Sequence, residues 1–213
     1  MVNHEQEGVI KFRLDFRERQ AVEFPQLEAL EACRQRFRAL GLIGGQELQR
    51  YDGLGFGNIS HRLSPGSDAF MISGTQTGHL SSMNASGYAL VTGCDPVRNR
   101  LEAEGAVKPS SEALTHAVIY RQLPEVQAVI HVHSPAIWQC ADELGLPQTA
   151  AEVPYGTPEM AAEMQRLIAH GMGDWHTISM AGHEDGVITW GRSIDAAAGE
   201  LAGIADKADR LCG

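Results

Sequence analysis

The stretch Ala128-Val129-Ile130-His131-Val132-His133-Ser134-Pro135 carries two imidazoles in an apolar, β-branched run that ends at a proline. β-Branched residues favour strands, and side chains at i and i+2 of a strand point to the same face. His131 and His133 are therefore predicted to project together, with Ile130 and Val132 packed on the other face. Two adjacent imidazoles suit zinc and other late first-row metals. A structural pair of histidines at a strand end is the alternative.

A catalytic metal centre needs a third protein ligand and one open position. His183 is the best candidate because it begins a polar turn, His183-Glu184-Asp185-Gly186, between two predicted strands. Taken alone, His183 would be a solvent-exposed turn histidine. The histidine pair of the predicted strand makes ligation the preferred interpretation.

Glu112 is the candidate acid and base. It follows Pro109-Ser110-Ser111, which opens a predicted helix, and a carboxylate in a first helical turn can point into a cleft. The alternative is a glutamate that only complements the helix dipole. His116 lies one turn further on the same face, where it is assigned to pairing with Glu112 or to packing and not to the metal site.

Three short segments have the composition of an anion site for phosphate or a carboxylate. Gly57-Asn58 and Ser73-Gly74-Thr75 combine backbone N–H groups that a ligand can approach with short polar side chains. Ser110 and Ser111 add donors at the N-terminus of the predicted helix. Each segment alone is typical of an ordinary turn or cap, and only their joint occurrence favours binding.

Length and charge limit the classes of protein and partner. The 213 residues contain no Pro/Gly/Ser-rich linker, so one α/β domain spanning residues 1–213 is expected. The 17 Lys and Arg against 27 Asp and Glu give a net charge of -10 without a basic cluster, so neither nucleic acid nor a membrane is an expected partner. The amino-terminal residues lack a signal-peptide pattern, and a cytoplasmic location is predicted.

Cysteine usage predicts neither a zinc knuckle nor a disulfide framework. Cys33, Cys94, Cys140 and Cys212 are far apart, and none forms a Cys-x-x-Cys pair. All four are predicted to be free thiols.

Hydrophobic periodicity and turn residues predict the remaining elements. The expected helices cover residues 24–42, a segment capped by Ser110 or Ser111 that ends near Pro124, 135–144, 159–169 capped by Thr157, and 193–211 capped by Ser193. The expected strands are a pair at 58–63 and 69–72, the histidine strand at 126–132, and a closing hairpin at 177–180 and 187–191.

Five motifs, in this order, resemble the class II aldolase/adducin family across nearly the whole chain. They are Gly57-Asn58-Ile59-Ser60, Ile72-Ser73-Gly74-Thr75, Pro109-Ser110-Ser111-Glu112, Ala128-Val129-Ile130-His131-Val132-His133-Ser134 and Tyr155-Gly156-Thr157-Pro158-Glu159. The resemblance implies a three-layer α/β/α sandwich around a mostly antiparallel sheet, and a homotetramer with active sites at subunit interfaces.

The resemblance also implies roles for individual residues. His131 and His133 become zinc ligands, and Glu112 becomes the acid/base that can also approach the metal. The implied phosphate-binding residues are Asn58, Ser73, Gly74, Ser110 and Ser111. The implied activity is that of a zinc-dependent aldehyde-lyase of aldolase type, which cleaves a small, phosphorylated hydroxy-carbonyl substrate through a metal-stabilised enediolate.

Two departures from the family pattern bear on the activity. The family signature His-Gly is replaced here by His183 followed by Glu184, Asp185 and Gly186; His183 is preferred as third ligand, with Asp185 as the alternative. The chain is also shorter between His133 and Tyr155 than the sugar-phosphate aldolases are in the corresponding segment. In those aldolases, that segment brings the catalytic tyrosine to the site of the neighbouring subunit. Tyr155 itself is assigned to packing on the sheet.

Other functions of the same family remain open at this point. A sugar-phosphate 4-epimerase or a dehydratase would use the same metal-enolate chemistry, and residue spacing does not separate them from an aldolase. A non-catalytic interaction module like the adducin head domain is a further alternative. The two imidazoles and the carboxylate of Glu112 argue against it.

Overall fold

A computed structural model describes residues 8–46, 50–171 and 175–212 of the chain. Its centre is an eight-stranded sheet. The strands in chain order are β1 (Arg13–Glu18), β2 (Asn58–Arg62), β3 (Phe70–Ser73), β4 (Tyr88–Asp95), β5 (Arg100–Gly105), β6 (Ala128–His133), β7 (Thr177–Ser179) and β8 (Gly186–Gly191).

The sheet is mostly antiparallel, as predicted. Its spatial order is β1-β5-β4-β3-β2-β6-β8-β7, and β1 against β5 is the parallel pair among these strands. The predicted pairing of β2 with β3 and the predicted hairpin of β7 and β8 are confirmed. The histidine strand β6 lies between β2 and β8, near one end of this order, so residues from both neighbours flank its histidines.

In the described part of the chain, six α-helices cover the sheet. They are α1 (Leu27–Ala39), α2 (Ala113–Gln122), α3 (Pro135–Gln139), α4 (Ala141–Leu144), α5 (Pro158–Ala169) and α6 (Ile194–Cys212), with short 3-10 turns at Tyr51–Gly53 and Ala85–Gly87. None of the helices in the described ranges is long and apolar enough to cross a membrane.

Two separate hydrophobic clusters place helices on both faces of the sheet. Side chains of α1, α3, α4 and α6 share one cluster with Ile130 and Val132 of β6. Side chains of α2 and α5 share the other with Val129 of β6 and Ile188 of β8. The arrangement is the expected three-layer α/β/α sandwich.

Three predicted caps have different outcomes. Thr157 accepts a hydrogen bond from the N–H of Met160 and Ser193 accepts one from that of Ala196, so both predicted caps are confirmed. The predicted cap of α2 by Ser110 or Ser111 is wrong, because the N-cap position is Glu112. The Ser110 hydroxyl instead accepts a hydrogen bond from the N–H of Glu112. Glu112 therefore lies immediately before the first residue of α2 and not in the first turn, where it was predicted.

The segment predicted as one helix over residues 135–144 divides into α3 and α4 at Cys140. A disulfide joins Cys140 to Cys212, so the prediction of four free thiols is wrong for this pair. The two cysteines are 72 positions apart, and they meet because α6 packs along α3 and α4. Cys33 and Cys94 are free, as predicted.

Candidate active site

His131 and His133 lie side by side on β6, and both are fully buried. Their rings are in edge contact, with centroids 5.0 Å apart. Because Ile130 and Val132 belong to the hydrophobic cluster on the other face, strand alternation has sent the imidazoles together to one side. The Nδ1 atom of His131 lies 3.2 Å from the carbonyl oxygen of Val187, which orients its Nε2 atom away from β8.

His183 reaches the pair from the turn before β8. Its N–H donates to the carbonyl of Met180, and its own carbonyl accepts from the N–H of Gly186. Since Gly186 is opposite His133 in the register of β6 and β8, the turn brings His183 over the pair. One ring nitrogen from each of the three histidines lies within 4.8 Å of the others.

Glu112 points from the start of α2 into the same cluster. Its Oε2 atom lies 2.7 Å from Nε2 of His131, and its Oε1 atom lies 3.1 Å from Nδ1 of His183. The Asn58 amide donates to Oε2 at 3.2 Å. Burial raises the pKa of Glu112, but the two imidazoles outweigh it and hold that pKa well below its ordinary value. Glu112 is therefore a carboxylate at neutral pH.

The imidazole of His133 stays neutral. Burial lowers its pKa well below the ordinary value, and the neighbouring His183 and His131 lower it further. A neutral imidazole is the form that binds a metal ion, so burial prepares the site for ligation near pH 7.

The donor set fits a divalent transition metal ion. Three imidazole nitrogens and one carboxylate converge in a buried space, and zinc accepts this combination in catalytic sites. The cluster includes His183 and not Asp185, the alternative third ligand. The Asp185 carboxylate accepts a hydrogen bond from the hydroxyl of Tyr51 instead, at 2.7 Å.

His116 lies outside this cluster. Its Nδ1 atom is 2.8 Å from the hydroxyl of Ser60, which also contacts the hydroxyl of Tyr120 at 2.8 Å. Complete burial lowers the pKa of His116 to about 3. The structure thus agrees with the assignment of His116 to packing; its hydrogen-bond partner is a serine and not Glu112.

A small polar pocket adjoins Asn58. The loops after β3 and before α2 form its walls, held together by hydrogen bonds from Thr75 N–H to the Lys108 carbonyl and from Ser110 N–H to the Ser73 carbonyl. Its lining residues are Gly8, Gly55, Gly57, Asn58, Gly74, Thr75, Gln76, Thr77, Gly78, Ser110 and Ser111. No lysine or arginine of the described residues is among them, so the donors are neutral.

Four of the five predicted anion-binding residues line this pocket, and Ser73 does not. The hydroxyl of Ser73 accepts a hydrogen bond from the N–H of Ile59, which ties β3 to β2 behind the pocket. Gly74 has no space for a side chain, because a Cβ atom there would lie 2.6 Å from the methyl groups of Val107.

Tyr155 is fully buried against the histidines. Its ring stacks on His183 with centroids 4.5 Å apart, and its hydroxyl accepts a hydrogen bond from the N–H of Val9. The ammonium of Lys11 lies over the Tyr155 ring, 3.7 Å from its centre. Burial lowers the pKa of Lys11 to about 8, although the charge of Glu112 opposes that shift. Tyr155 does pack, as predicted, but it packs against a candidate ligand.

Tyr51 is a site residue that the sequence did not indicate. Its ring lies edge-on to His133, with centroids 4.6 Å apart, and also contacts Phe56. Burial, and then the hydrogen bond to Asp185, raise the pKa of Tyr51, so its phenol stays protonated. Tyr51 has a φ of 49° in a turn without a regular hydrophobic pattern, and its partner is 134 positions away. Neither feature has a local sequence signal.

Residues 47–209 match the family model described as Class II Aldolase and Adducin N-terminal domain. A methylthioribulose-1-phosphate dehydratase from Methylococcus capsulatus is 30% identical over 161 residues, covering 65% of this chain and 73% of that protein. Another protein of that name, from Xanthomonas euvesicatoria pv. vesicatoria, is 36% identical over 78 residues, and this match covers 37% of this chain and only 32% of the relative.

A solved structure has the same fold. The crystal structure of L-fuculose-1-phosphate aldolase from Thermus thermophilus superposes with a TM-score of 0.62 at 18% identity, covering 87% of this chain and 91% of that one. At this identity the likeness concerns the arrangement of the strands and helices.

Proposed function

Because the chain belongs to the class II aldolase and adducin N-terminal domain family, we propose that it is a metal-dependent, aldolase-type lyase. Its substrate would be a small, phosphorylated hydroxy-carbonyl compound. The observation that carries the proposal is the convergence of His131, His133, His183 and Glu112 in one buried cluster beside a polar pocket.

We propose that His131, His133 and His183 hold a zinc ion or another divalent transition metal ion. A bound divalent ion supplies Lewis-acid polarisation of substrate oxygens and balances the charge of an enediolate. Burial of the three imidazoles supports this assignment, because it excludes water from the ligands and lowers the pKa of His133, which keeps that imidazole neutral.

Glu112 is assigned the proton transfer. In cleavage, the hydroxyl group on the carbon β to the carbonyl loses its proton, and the bond between the α and β carbons breaks to release an aldehyde. The electron pair of that bond remains on the carbonyl fragment as an enediolate, which then takes up a proton at its α carbon. The position of Glu112 supports its role as the proton carrier, since it contacts two candidate ligands and receives a hydrogen bond from Asn58.

The pocket lined by Asn58, Gly74, Ser110 and Ser111 is the proposed phosphate site. Backbone N–H groups and hydroxyls near the start of α2 would donate to the phosphate oxygens. Ser73 has a supporting part in this proposal, because it braces the strands behind the pocket and does not line it.

Dehydration is a second candidate, and the similarity to methylthioribulose-1-phosphate dehydratases favours it. In that reaction Glu112 would remove a proton from the carbon next to the carbonyl group, and a hydroxyl would then leave as water. A non-catalytic adducin-like module does not account for Glu112 and the three buried histidines together.

The remaining parts of the proposal concern the whole protein. We propose one domain over residues 1–213, a cytoplasmic location and a homotetramer that binds a sugar-phosphate-like molecule and neither nucleic acid nor membranes. A sedimentation experiment with the metal-loaded protein tests the tetramer.

The deciding experiment measures zinc and other metals by plasma mass spectrometry in the untagged protein, a His131→Ala/His133→Ala variant and a His170→Ala control with an exposed histidine. We expect about one metal ion per chain in the wild type and the control, and none in the double variant. The metal-loaded protein is then assayed with fuculose 1-phosphate for aldehyde release and with methylthioribulose 1-phosphate for dehydration. Absence of metal after addition of zinc, together with no turnover, would refute the proposal.

A further inference from the structure

Two strained turns meet at the metal-ligand cluster. Tyr51, Asp52 and Gly53 are consecutive residues with left-handed backbone, at φ values of 49°, 54° and 77°. Asp185, two positions after His183, has a φ of 61°. Non-glycine residues rarely adopt this conformation, and it persists where surrounding contacts enforce it.

A side-chain hydrogen bond joins the two turns. The Tyr51 hydroxyl donates to Oδ2 of Asp185 at 2.7 Å, across 134 positions of sequence. The Asp185 carbonyl also accepts from the N–H of Ser134, the residue that follows His133. Asp185 is thus fixed on one side to the end of β6 and on the other to the turn of Tyr51.

The ring of Tyr51 restrains a second candidate ligand. It meets His133 edge-on, with centroids 4.6 Å apart, and Phe56 contacts both rings from the side. The turn itself is anchored by Arg50, whose guanidinium donates to the Gly41 carbonyl at 2.8 Å and lies over Phe56. Tyr51 therefore contacts His133 directly and reaches His183 through Asp185.

We propose that Tyr51 is a positioning residue for the metal centre, and that its hydrogen bond to Asp185 fixes the turn that holds His183 in ligating position. The inference rests on the proposed metal-dependent function. Groups that orient metal ligands typically change metal affinity 10- to 100-fold when they are removed.

Three variants separate the hydrogen bond from backbone strain. Tyr51→Phe keeps the ring on His133 and removes the hydroxyl. Asp185→Gly keeps the left-handed conformation and removes the acceptor. Asp185→Asn keeps an acceptor oxygen, and asparagine tolerates a positive φ. The matched control is Tyr88→Phe, which removes a buried tyrosine hydroxyl that also donates to a carboxylate, that of Glu31, at 2.7 Å.

Zinc affinity is measured by competition with a chromogenic chelator, and thermal unfolding of each metal-free protein is measured alongside. We expect the zinc Kd to rise 10- to 100-fold in Tyr51→Phe and Asp185→Gly, no further in the double variant, and less than threefold in Asp185→Asn. Tyr88→Phe should lower the unfolding temperature and leave the Kd unchanged.

Two outcomes distinguish a failure of the positioning role of Tyr51 from a failure of the proposed metal-dependent function. Wild-type protein that binds zinc while Tyr51→Phe and Asp185→Gly have Kd values within twofold of it would overturn the positioning role and leave the proposed function standing. Wild-type protein that binds no zinc would overturn both. Should Tyr51→Phe fail to fold, Asp185→Gly gives the same comparison from the other side of the bond.

Discussion

Oε2 of Glu112 lies 2.7 Å from Nε2 of His131, with both side chains almost fully buried. The carboxylate therefore stands in the space on which three imidazoles converge. A group in this position either joins the ligands or exchanges a proton with a molecule bound beside them. The distances place Glu112 against two of the candidate ligands, and its side chain makes no capping hydrogen bond to α2.

Replacement of Glu112 by Gln should separate ligation from proton transfer. The three histidines remain, so the metal content should stay near that of the wild type. Turnover of the identified substrate should fall by about 10²- to 10⁴-fold, the range typical of a lost general acid/base. Steady-state kinetics and metal analysis of the same preparation check this, with the exposed Glu152→Gln as control. Unchanged turnover would remove Glu112 from the mechanism.

Ser111 should contribute to anion affinity without affecting the metal. Its loss removes one neutral donor from the polar pocket, and a hydrogen bond to a charged group contributes about 1.5 kcal/mol or more. Titration calorimetry with inorganic phosphate should show a Kd about tenfold higher in Ser111→Ala. The exposed Ser82→Ala should bind phosphate like the wild type. Equal affinities in all three proteins would place the phosphate elsewhere.

His116 should make the metal-free fold sensitive to acid. Its pKa is about 3 in the folded chain, against an ordinary value of 6.5. Below pH 6.5 the unfolded chain binds a proton that the folded chain does not, so stability falls as pH decreases towards 3, by about 1.4 kcal/mol per pH unit. Above pH 6.5 this contribution is constant.

Urea unfolding of the metal-free protein between pH 4.5 and 8 measures that dependence. Below pH 6.5, the slope of the free energy of unfolding against pH should be smaller in His116→Asn, by the amount that corresponds to about one bound proton. The exposed His170→Asn should keep the wild-type slope. An unaltered slope in His116→Asn would mean that His116 is protonated in the folded chain.

The Cys140–Cys212 disulfide should stabilise the fold by closing a long loop. With 72 positions between the cysteines, its removal should lower the free energy of unfolding by about 2–4 kcal/mol. Cys212→Ser and the wild type under reductant should unfold at the same lower denaturant concentration, while Cys94→Ser should resemble the oxidised wild type. Titration of four free thiols in the denatured, non-reduced protein would contradict the bridge.

Local sequence signals were sufficient for most of the site. His131 and His133 share a face because of strand alternation, and the turn at His183 follows from its polar residues between two apolar runs. The strands β1, β4 and β5 were not predicted. These three strands lie together at one end of the strand order. In β1, charged residues separate the apolar ones, and the register of β4 with β5 shifts between Val91 and Gly93.

Features that depend on tertiary packing could not be predicted from local sequence signals. The cap of α2 shifted to Glu112 because the Ser110 N–H is held by the Ser73 carbonyl and its hydroxyl by the N–H of Glu112. The pairing of Cys140 with Cys212 depends on how α6 crosses α3 and α4. The contact of Tyr51 with Asp185 depends on two distant turns whose residues have positive φ angles.

The neutral lining of the polar pocket has a consequence for selectivity. Among its described residues, hydroxyl, amide and backbone N–H groups surround the space, and no guanidinium or ammonium group does. Recognition then depends on the directions of these donors and much less on long-range attraction, which mobile ions screen within about 8 Å at physiological salt. If this pocket holds the phosphate group, as proposed, we expect it to select a tetrahedral oxyanion over a planar carboxylate by the directions of its donors. We also expect its affinity for phosphate to change little when the ionic strength rises.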